Sequence, residues 1–221
     1  MENQIFQEVD NYIISLFATE DKALLDAKHS SDLVGIPQQC ISAIQGKFLQ
    51  TMMKACNANR VLELGTFVGY SAIWMAKALP ENGKLISIEV DQKISAVAQQ
   101  NIENAELSKK IQLKVGSALD ILPKYITNNE EPFDMIFIDA DKPPYKEYFQ
   151  YALQLSRPGT IIILDNVIRN GKVLDEITSD ERVVGVKRLN LYLSECKEVT
   201  SIILQSAGVK DHDGMAVVVV N

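Results

Sequence analysis

From residue 60 onward, dense apolar runs alternate with longer stretches in which apolar residues return every three or four positions. The dense runs, Arg60–Leu64, Lys84–Glu89, Ile111–Val115, Phe133–Ile138 and Thr160–Asp165, predict strands buried on both faces. The periodic stretches, Tyr70–Leu79, Gln92–Ala105, Ala118–Ile126 and Tyr145–Ser156, predict helices between them. Pro80, Gly83, Pro132 and the Pro158-Gly159 pair punctuate the joins. Alternation of this kind builds a parallel sheet with crossover helices. A further helix near Val183–Leu193 precedes two runs, Glu198–Leu204 and Met215–Val220, that predict an antiparallel pair across Gly208–Gly214, which brings the strands to seven.

The first 55 or so residues carry helical periodicity only. Ile5, Val9, Tyr12, Ile13 and Leu16 share one side of a first segment, and Phe48, Leu49, Met52 and Met53 share one side of a second, Gly46–Ala55. Such an extension can cap the sheet, close over a ligand or hold a partner subunit. No linker, repeat or low-complexity tract separates it from the rest, so the chain reads as one domain, 1–221, with a helical extension over 1–57 and a core over 58–221.

Composition narrows the function classes. With 221 residues, 47% hydrophobic and 23% charged, the chain has the apolar content for a core and none of the bias of disorder. No apolar run approaches the roughly 20 residues that span a bilayer, and the acidic opening MENQIFQEVDNYII lacks the basic residues of a leader, so a cytoplasmic location with no membrane partner is expected. A net charge of −7 offers no counterion-release drive, which disfavours nucleic acid. Cys40, Cys56 and Cys196 form no CxxC pair and have no histidine cluster beside them; they read as reduced thiols, not as a zinc site.

The most informative stretch runs from Val61 to Ser71, a strand entering a glycine turn and then a helix. Gly65 and Gly69 frame a turn where a ligand can approach the backbone. Their GxxxG spacing lacks the third glycine that brings a pyrophosphate onto a helix N-terminus, which argues against nicotinamide dinucleotides. Glu89 ends the second strand 24 residues after Gly65, where an acid can accept from both ribose hydroxyls. Gly116-Ser117-Ala118 follows the third strand and would lie beside the base of a nucleoside held there. A nucleoside without phosphates fits this end of the sheet.

Strands four and five run into Asp139-Ala140-Asp141-Lys142 and Asp165-Asn166. Ligands of an open parallel sheet bind at the carboxyl ends of its strands, and neighbouring strands lie ~4.8 Å apart, so Asp139, Asp165 and Asn166 can converge. Two carboxylates and an amide oxygen, with no His or Cys, favour magnesium, manganese or calcium over zinc. Lys142 beside such a site is a candidate general base.

Taken in order, Leu62-Glu63-Leu64-Gly65-Thr66-Phe67-Val68-Gly69-Tyr70-Ser71, Gly116-Ser117-Ala118, Phe137-Ile138-Asp139-Ala140-Asp141-Lys142, Asp165-Asn166-Val167 and Asp213-Gly214 resemble the cation-dependent O-methyltransferases that use S-adenosylmethionine, the family of the catechol and caffeoyl-CoA enzymes. The resemblance spans almost the whole chain. The expected fold class is therefore α/β: a Rossmann-like, seven-stranded, mostly parallel sheet with an antiparallel last strand, helices on both faces and the N-terminal helical extension. By the resemblance, Ile41, Glu63, Gly65, Thr66, Ser71, Glu89, Ser117, Ala118 and Asp141 hold S-adenosylmethionine. It likewise implies that Asp139, Asp165 and Asn166 bind Mg²⁺ (or Mn²⁺ or Ca²⁺) and that Lys142 is the base. Asp139, Lys142, Asn166 and Asn170 would meet a catechol-type small-molecule substrate, and a homodimer is expected.

Two departures bear on selectivity. Met215 and Ala216 follow Asp213-Gly214 where the animal catechol enzymes have a glutamate, and Arg169 replaces the tryptophan of the plant enzymes and can pair with an anionic substrate group. Trp74 reads as core, and His29 and His212 carry no role. Two other readings remain. Lys142-Pro143-Pro144-Tyr145 is similar to the (Asp/Asn)-Pro-Pro-Tyr of amino-group N-methyltransferases, although a cation cannot accept from an amine. A non-catalytic nucleoside-binding protein or scaffold would be free to lose Asp139, Lys142, Asp165 and Asn166.

Overall fold

A computed structural model describes residues 2–33, 35–208 and 212–221, with the side chains of residues 2, 3 and 33 excluded. Three helices come first, α1 (Glu2–Phe17), α2 (Lys22–Leu33) and α3 (Ala43–Ala55). Then β1 (Arg60–Leu64), β2 (Lys84–Glu89), β3 (Ile111–Val115) and β4 (Phe133–Ile138) alternate with α4 (Tyr70–Ala78), α5 (Gln92–Asn104), α6 (Ala118–Thr127) and α7 (Tyr145–Gln154). The chain closes with β5 (Ser156–Leu164), a 3-10 turn at Lys172–Leu174, α8 (Glu181–Glu195), β6 (Val199–Ser206) and β7 (Asp213–Val220).

The sheet order is β3-β2-β1-β4-β5-β7-β6. β1 to β5 pair in parallel, and β7 lies antiparallel between β5 and β6, so one strand is reversed as expected. The chain leaves β1 toward β2 and later returns to β4 on the other side of β1. That reversal of direction opens a crevice between β1 and β4 at their carboxyl ends.

Alternation along each strand sends side chains to two cores. Val61, Leu85, Met135 and Phe137 meet α3 and α4 residues such as Leu49, Met53 and Trp74, while Leu62, Ile86, Ile136 and Ile162 meet Leu122, Phe149 and Leu189 of α6, α7 and α8. Trp74 is core, as expected, and it explains a glycine in α3: a Cβ at Gly46 would lie 2.6 Å from the indole ring. Among the described residues no helix is long and apolar enough to cross a membrane.

One finding corrects the expectations and two add to them. β5 starts four residues earlier than Thr160 and takes in Pro158 and Gly159, expected to mark a join. They sit where the register against β4 shifts between Phe133 and Met135, a place that tolerates a missing N–H and the left-handed φ of +88° at Gly159. A third N-terminal helix, α2, lacks the apolar stripe that betrays a helix because its buried face is mostly small or polar: Leu24, Ala27, Ser30 and Ser31. Asp21 caps it by accepting from Leu24 N at 3.2 Å, and Ser30 Oγ accepts from Asn101 of α5 at 2.7 Å. Finally, Ile5, Val9, Tyr12 and Leu16 of α1 point outward, 46–65% exposed, while Ile14 makes the contact with the core.

Candidate active site

The carboxyl ends of β1, β4 and β5 open on a cavity of about 1250 Å³. The hydrogen-bond ladder runs one residue past each strand: Gly65 N donates to Ile88 O (3.0 Å), Asp139 N to Leu64 O (2.9 Å) and Asp165 N to Ile138 O (3.0 Å). Each strand thus delivers the residue that follows it, Gly65, Asp139 or Asp165, to one rim.

On the β1 side the turn closes onto β4. Gly65 has φ +93°, and a Cβ there would lie 2.1 Å from the Asp139 carbonyl oxygen, so only glycine fits. Phe67 N donates to Glu89 Oε2 at 2.8 Å and Asp91 N to Oε1 at 3.0 Å, which fixes both carboxylate oxygens at the end of β2. Glu89, Ile41, Gly65, Thr66, Ser71, Ala118 and Asp141 all line the cavity.

Glu63 and Ser117 stand off its wall. Glu63 lies fully buried under the turn and accepts from Ser71 Oγ and Ser87 Oγ, each at 2.5 Å. Burial pushes its carboxyl up to about 8, against the two serine bonds, and the nearby Asp139 and Glu89 add to the rise. Ser117 occupies the N-cap of α6 without a side-chain cap bond.

At the tips of β4 and β5 the polar side chains interlock. Lys142, 6% exposed, donates from Nζ to Asp139 Oδ1 at 2.8 Å and to Tyr145 OH at 2.5 Å. The Tyr145 hydroxyl also lies 3.0 Å from Ile138 O and 2.8 Å from Asp165 O, linking both strand tips. Its deep burial, with Asp139 and Asp165 beside it, raises its pKa well above the usual tyrosine value. Asp141 turns the other way: its Oδ1 accepts from Tyr148 OH at 2.5 Å. The two acids of Asp139-Ala140-Asp141 therefore face different partners.

Asp165 is 2% exposed and accepts at Oδ1 from Asn166 N (2.8 Å). Burial first, and then the Asp139 carboxylate, push its pKa up, while Lys142 pulls it down. Asn166 follows at φ +58°. Two carboxylates and a carboxamide crowded in this way suit a hard divalent cation, which would relieve the repulsion that raises Asp165. The fit is by chemistry of the donor set; among the described residues no three His, Cys, Asp or Glu side chains gather as a metal-holding group.

The turn after β5 carries the remaining candidates. Asn166, Arg169 and Asn170 all adopt left-handed φ, +58°, +56° and +55°, a conformation that non-glycine residues keep only when held. Asp213 holds it, its Oδ1 accepting from the backbone N–H of Ile168, Arg169 and Gly214, each at 2.9 Å. Arg169 and Asn170 both line the cavity, and Arg169 Nε is buried with no hydrogen-bond partner among the described residues.

The structure adds residues that the sequence reading did not assign. Tyr148 and Phe67 grip Asp141 and Glu89, and Asp213, legible only as part of a motif, anchors the turn. Gln45 reaches Asp165 from α3; its capping-box signature Ser42-x-x-Gln45 is readable in the sequence, its distant partner is not.

Residues 18–219 match the family model described as O-methyltransferase. The chain is 54% identical, over 220 residues that cover all of both chains, to a catechol O-methyltransferase of Niastella koreensis. Among solved structures, it superposes on the O-methyltransferase TomG of Streptomyces achromogenes, in complex with S-adenosylmethionine, with a TM-score of 0.96 and 40% identity, covering 100% of this chain and 99% of that one. An O-methyltransferase of Bacillus cereus, in complex with S-adenosylhomocysteine, gives 0.95 and 38% identity, covering 99% of each chain.

Proposed function

The chain belongs to the O-methyltransferase family, and from that premise we propose that it transfers the methyl group of S-adenosylmethionine to one hydroxyl of a vicinal diol on an aromatic ring, held by a divalent cation. The observation that carries this reading is the convergence of Asp139, Lys142, Asp165 and Asn166 beside a glycine turn that brings the β1 backbone against Asp139. The whole chain acts as one methyltransferase domain, in the cytoplasm.

In this reading Glu89, its two oxygens each fixed by one backbone N–H, turns its remaining lone pairs to the ribose hydroxyls of the cofactor. Ser71, Asp141, Ile41, Thr66 and Ala118 complete the cofactor wall, with Glu63 and Ser117 supporting it from behind. Asp139, Asp165 and Asn166 hold the cation, Mg²⁺ or a similar hard ion. When bound, that ion supplies a lowered hydroxyl pKa and a fixed position for both diol oxygens. Lys142 enters the step as the amine and accepts the hydroxyl proton at Nζ. Tyr145 and Asp139 hold Nζ in place meanwhile. The oxygen then attacks the methyl carbon and the carbon–sulfur bond breaks, so the products are a methyl ether and the neutral thioether.

Arg169, whose buried Nε has no partner among the described residues, is suited to a carboxylate on the substrate, and Asn170 lies beside it. An amino-group substrate is disfavoured because such enzymes place the oxygen of an acid or amide where this chain has Lys142, whose side chain carries no oxygen. A non-catalytic binding protein has no use for a buried lysine between two strand-tip acids. The outward stripe of Ile5, Val9, Tyr12 and Leu16 on α1, together with exposed Ile202 and Leu204 on β6, supports a homodimer.

Chelation tests the reading. EDTA should abolish methylation of a catechol, Mg²⁺ should restore it, and S-adenosylhomocysteine should still bind the chelated protein by calorimetry, weakened by no more than the roughly 5–150-fold typical of coupling between two linked sites. Asp165→Ala should copy the chelated state. Full turnover in chelator would overturn the cation; methylation of a monophenol as fast as a catechol would overturn the diol.

A further inference from the structure

Gln45 uses both ends of one amide. Its Oε1 accepts from Ser42 N at 2.8 Å, while Ser42 Oγ accepts from Gln45 N at 3.1 Å, which closes the capping box at the start of α3. Its Nε2 donates to Oδ1 and Oδ2 of Asp165, each at 3.1 Å, across 120 residues of sequence. A capping-box glutamine has no need of a second partner, and this one finds it on a carboxylate that is 2% exposed. Asp165 Oδ1 then receives two donors, Gln45 Nε2 and Asn166 N, whereas Oδ2 receives one. Oδ2 keeps the greater free lone-pair capacity and is the oxygen left for a cation.

The other end of the linkage is the segment before α3. Ile36, Gln38, Cys40 and Ile41 line the cavity, and the capping box sets the angle at which they enter the helix. A single amide thus joins the wall of the cofactor cavity to a candidate cation ligand. Anything that fixes Asp165 also fixes Gln45, and through Ser42 the segment 36–42.

We propose that Gln45 is a positioning residue that presets the Asp165 carboxylate for the cation and makes cation binding and the ordering of segment 36–42 one linked event. This rests on the cation reading given above. It follows that the cation and the cofactor raise each other's affinity, and by the same factor, because linkage between two binding sites is reciprocal. The outer partners of metal ligands typically change metal affinity by about 10–100-fold, and Gln45 belongs at the lower end because Asn166 N still holds Asp165 in its absence.

The test is Mn²⁺ binding by the full chain, measured by electron paramagnetic resonance with and without S-adenosylhomocysteine, with no turnover required. Wild type should bind Mn²⁺ more tightly when the cofactor product is present. Gln45→Met, which keeps the length and loses the donor, should bind Mn²⁺ roughly tenfold more weakly and lose that tightening. Ser42→Ala, which removes the hydroxyl cap and leaves the Gln45 amide, should retain both. Hydrogen exchange of amides 36–46 should slow on Mn²⁺ addition in wild type and not in Gln45→Met. Should Gln45→Met fail to fold, Gln45→Asn withdraws the same donor by one methylene and should give the same pattern. Unchanged Mn²⁺ affinity in the Gln45 variants, equal loss in Ser42→Ala, or no cofactor effect in wild type would each overturn the proposal. If wild type binds Mn²⁺ no better than Asp165→Ala, the cation reading itself falls and this inference with it.

Discussion

Replacing Gly65 with alanine tests the geometry on which the whole site depends. Two costs can be separated. The backbone at Gly65 has φ +93°, and an L-residue held there loses about 1–3 kcal/mol to strain. The new Cβ would also lie 2.1 Å from the Asp139 carbonyl oxygen and 2.7 Å from its carbon, both backbone atoms, where ordinary contact begins near 3.4 Å. The β4 tip must therefore retreat by more than 1 Å, an overpacking cost of about 1–3 kcal/mol more. Gly69 provides the control. It too is left-handed, at φ +86°, but its nearest neighbour would be 3.5 Å from the added Cβ, so Gly69→Ala bears the strain alone. Urea unfolding followed by the single tryptophan, Trp74, which is 3% exposed, should place Gly65→Ala about 1–3 kcal/mol below Gly69→Ala. Because the retreat moves Asp139 and its Lys142 contact, turnover in Gly65→Ala should fall by about 100-fold beyond any loss in Gly69→Ala. Equal stability and equal turnover in the two variants would refute the claim that close approach of β1 to β4 is what demands glycine.

Further outcomes follow from the buried Glu63 and from Arg169 Nε, which has no partner among the described residues. Glu63 is raised from 4.5 to about 8 in the folded state by burial, with Asp139 and Glu89 as the facing charges, so the folded protein holds a proton that the unfolded chain releases earlier. Its stabilising contribution is full below about 4.5 and is lost as pH rises through 8, with a slope of up to ~1.4 kcal/mol per pH unit. Urea midpoints between pH 5 and 8 should therefore fall more steeply with pH in wild type than in Glu63→Gln, and parallel slopes would show that Glu63 does not titrate in this window. Arg169→Ala should lower kcat/KM for a carboxylated catechol by roughly 10–100-fold, the size of one charged hydrogen bond, and leave a neutral catechol near wild type. Equal losses on both substrates would assign Arg169 to holding the turn and not to reading the substrate.

The local elements were legible in the sequence because short-range sterics and hydrophobic periodicity fix them. β1 to β4 fall on the residues where the apolar runs predicted them, and α4 to α8 differ from expectation by one or two residues at their ends, whereas α3 starts three residues before the expected Gly46. The glycine turn, Glu89 and the strand-tip acids were legible for a related reason: in a parallel α/β sheet the first polar residue after each strand lands on one rim, so sequence order alone collects Asp139, Asp165 and Asn166. What the chain order cannot express is which distant groups meet once the layers pack. α2 escaped because tertiary burial of Ala27, Ser30 and Ser31, and not an apolar stripe, holds it in place. The outward turn of α1 escaped because periodicity shows that a face exists and not what covers it. Glu63, a cofactor contact by the resemblance, stands off the cavity wall because the β1–β2 register sets it against Ser87 and α4 brings Ser71 over it. Asp213 becomes a three-point acceptor only because β7 lies beside β5, and Gln45 meets Asp165 only because α3 packs at the carboxyl end of the sheet. These contacts have no local signature: a side chain's own neighbours decide its element, whereas its partner is decided by register and layer order, which only the folded chain sets.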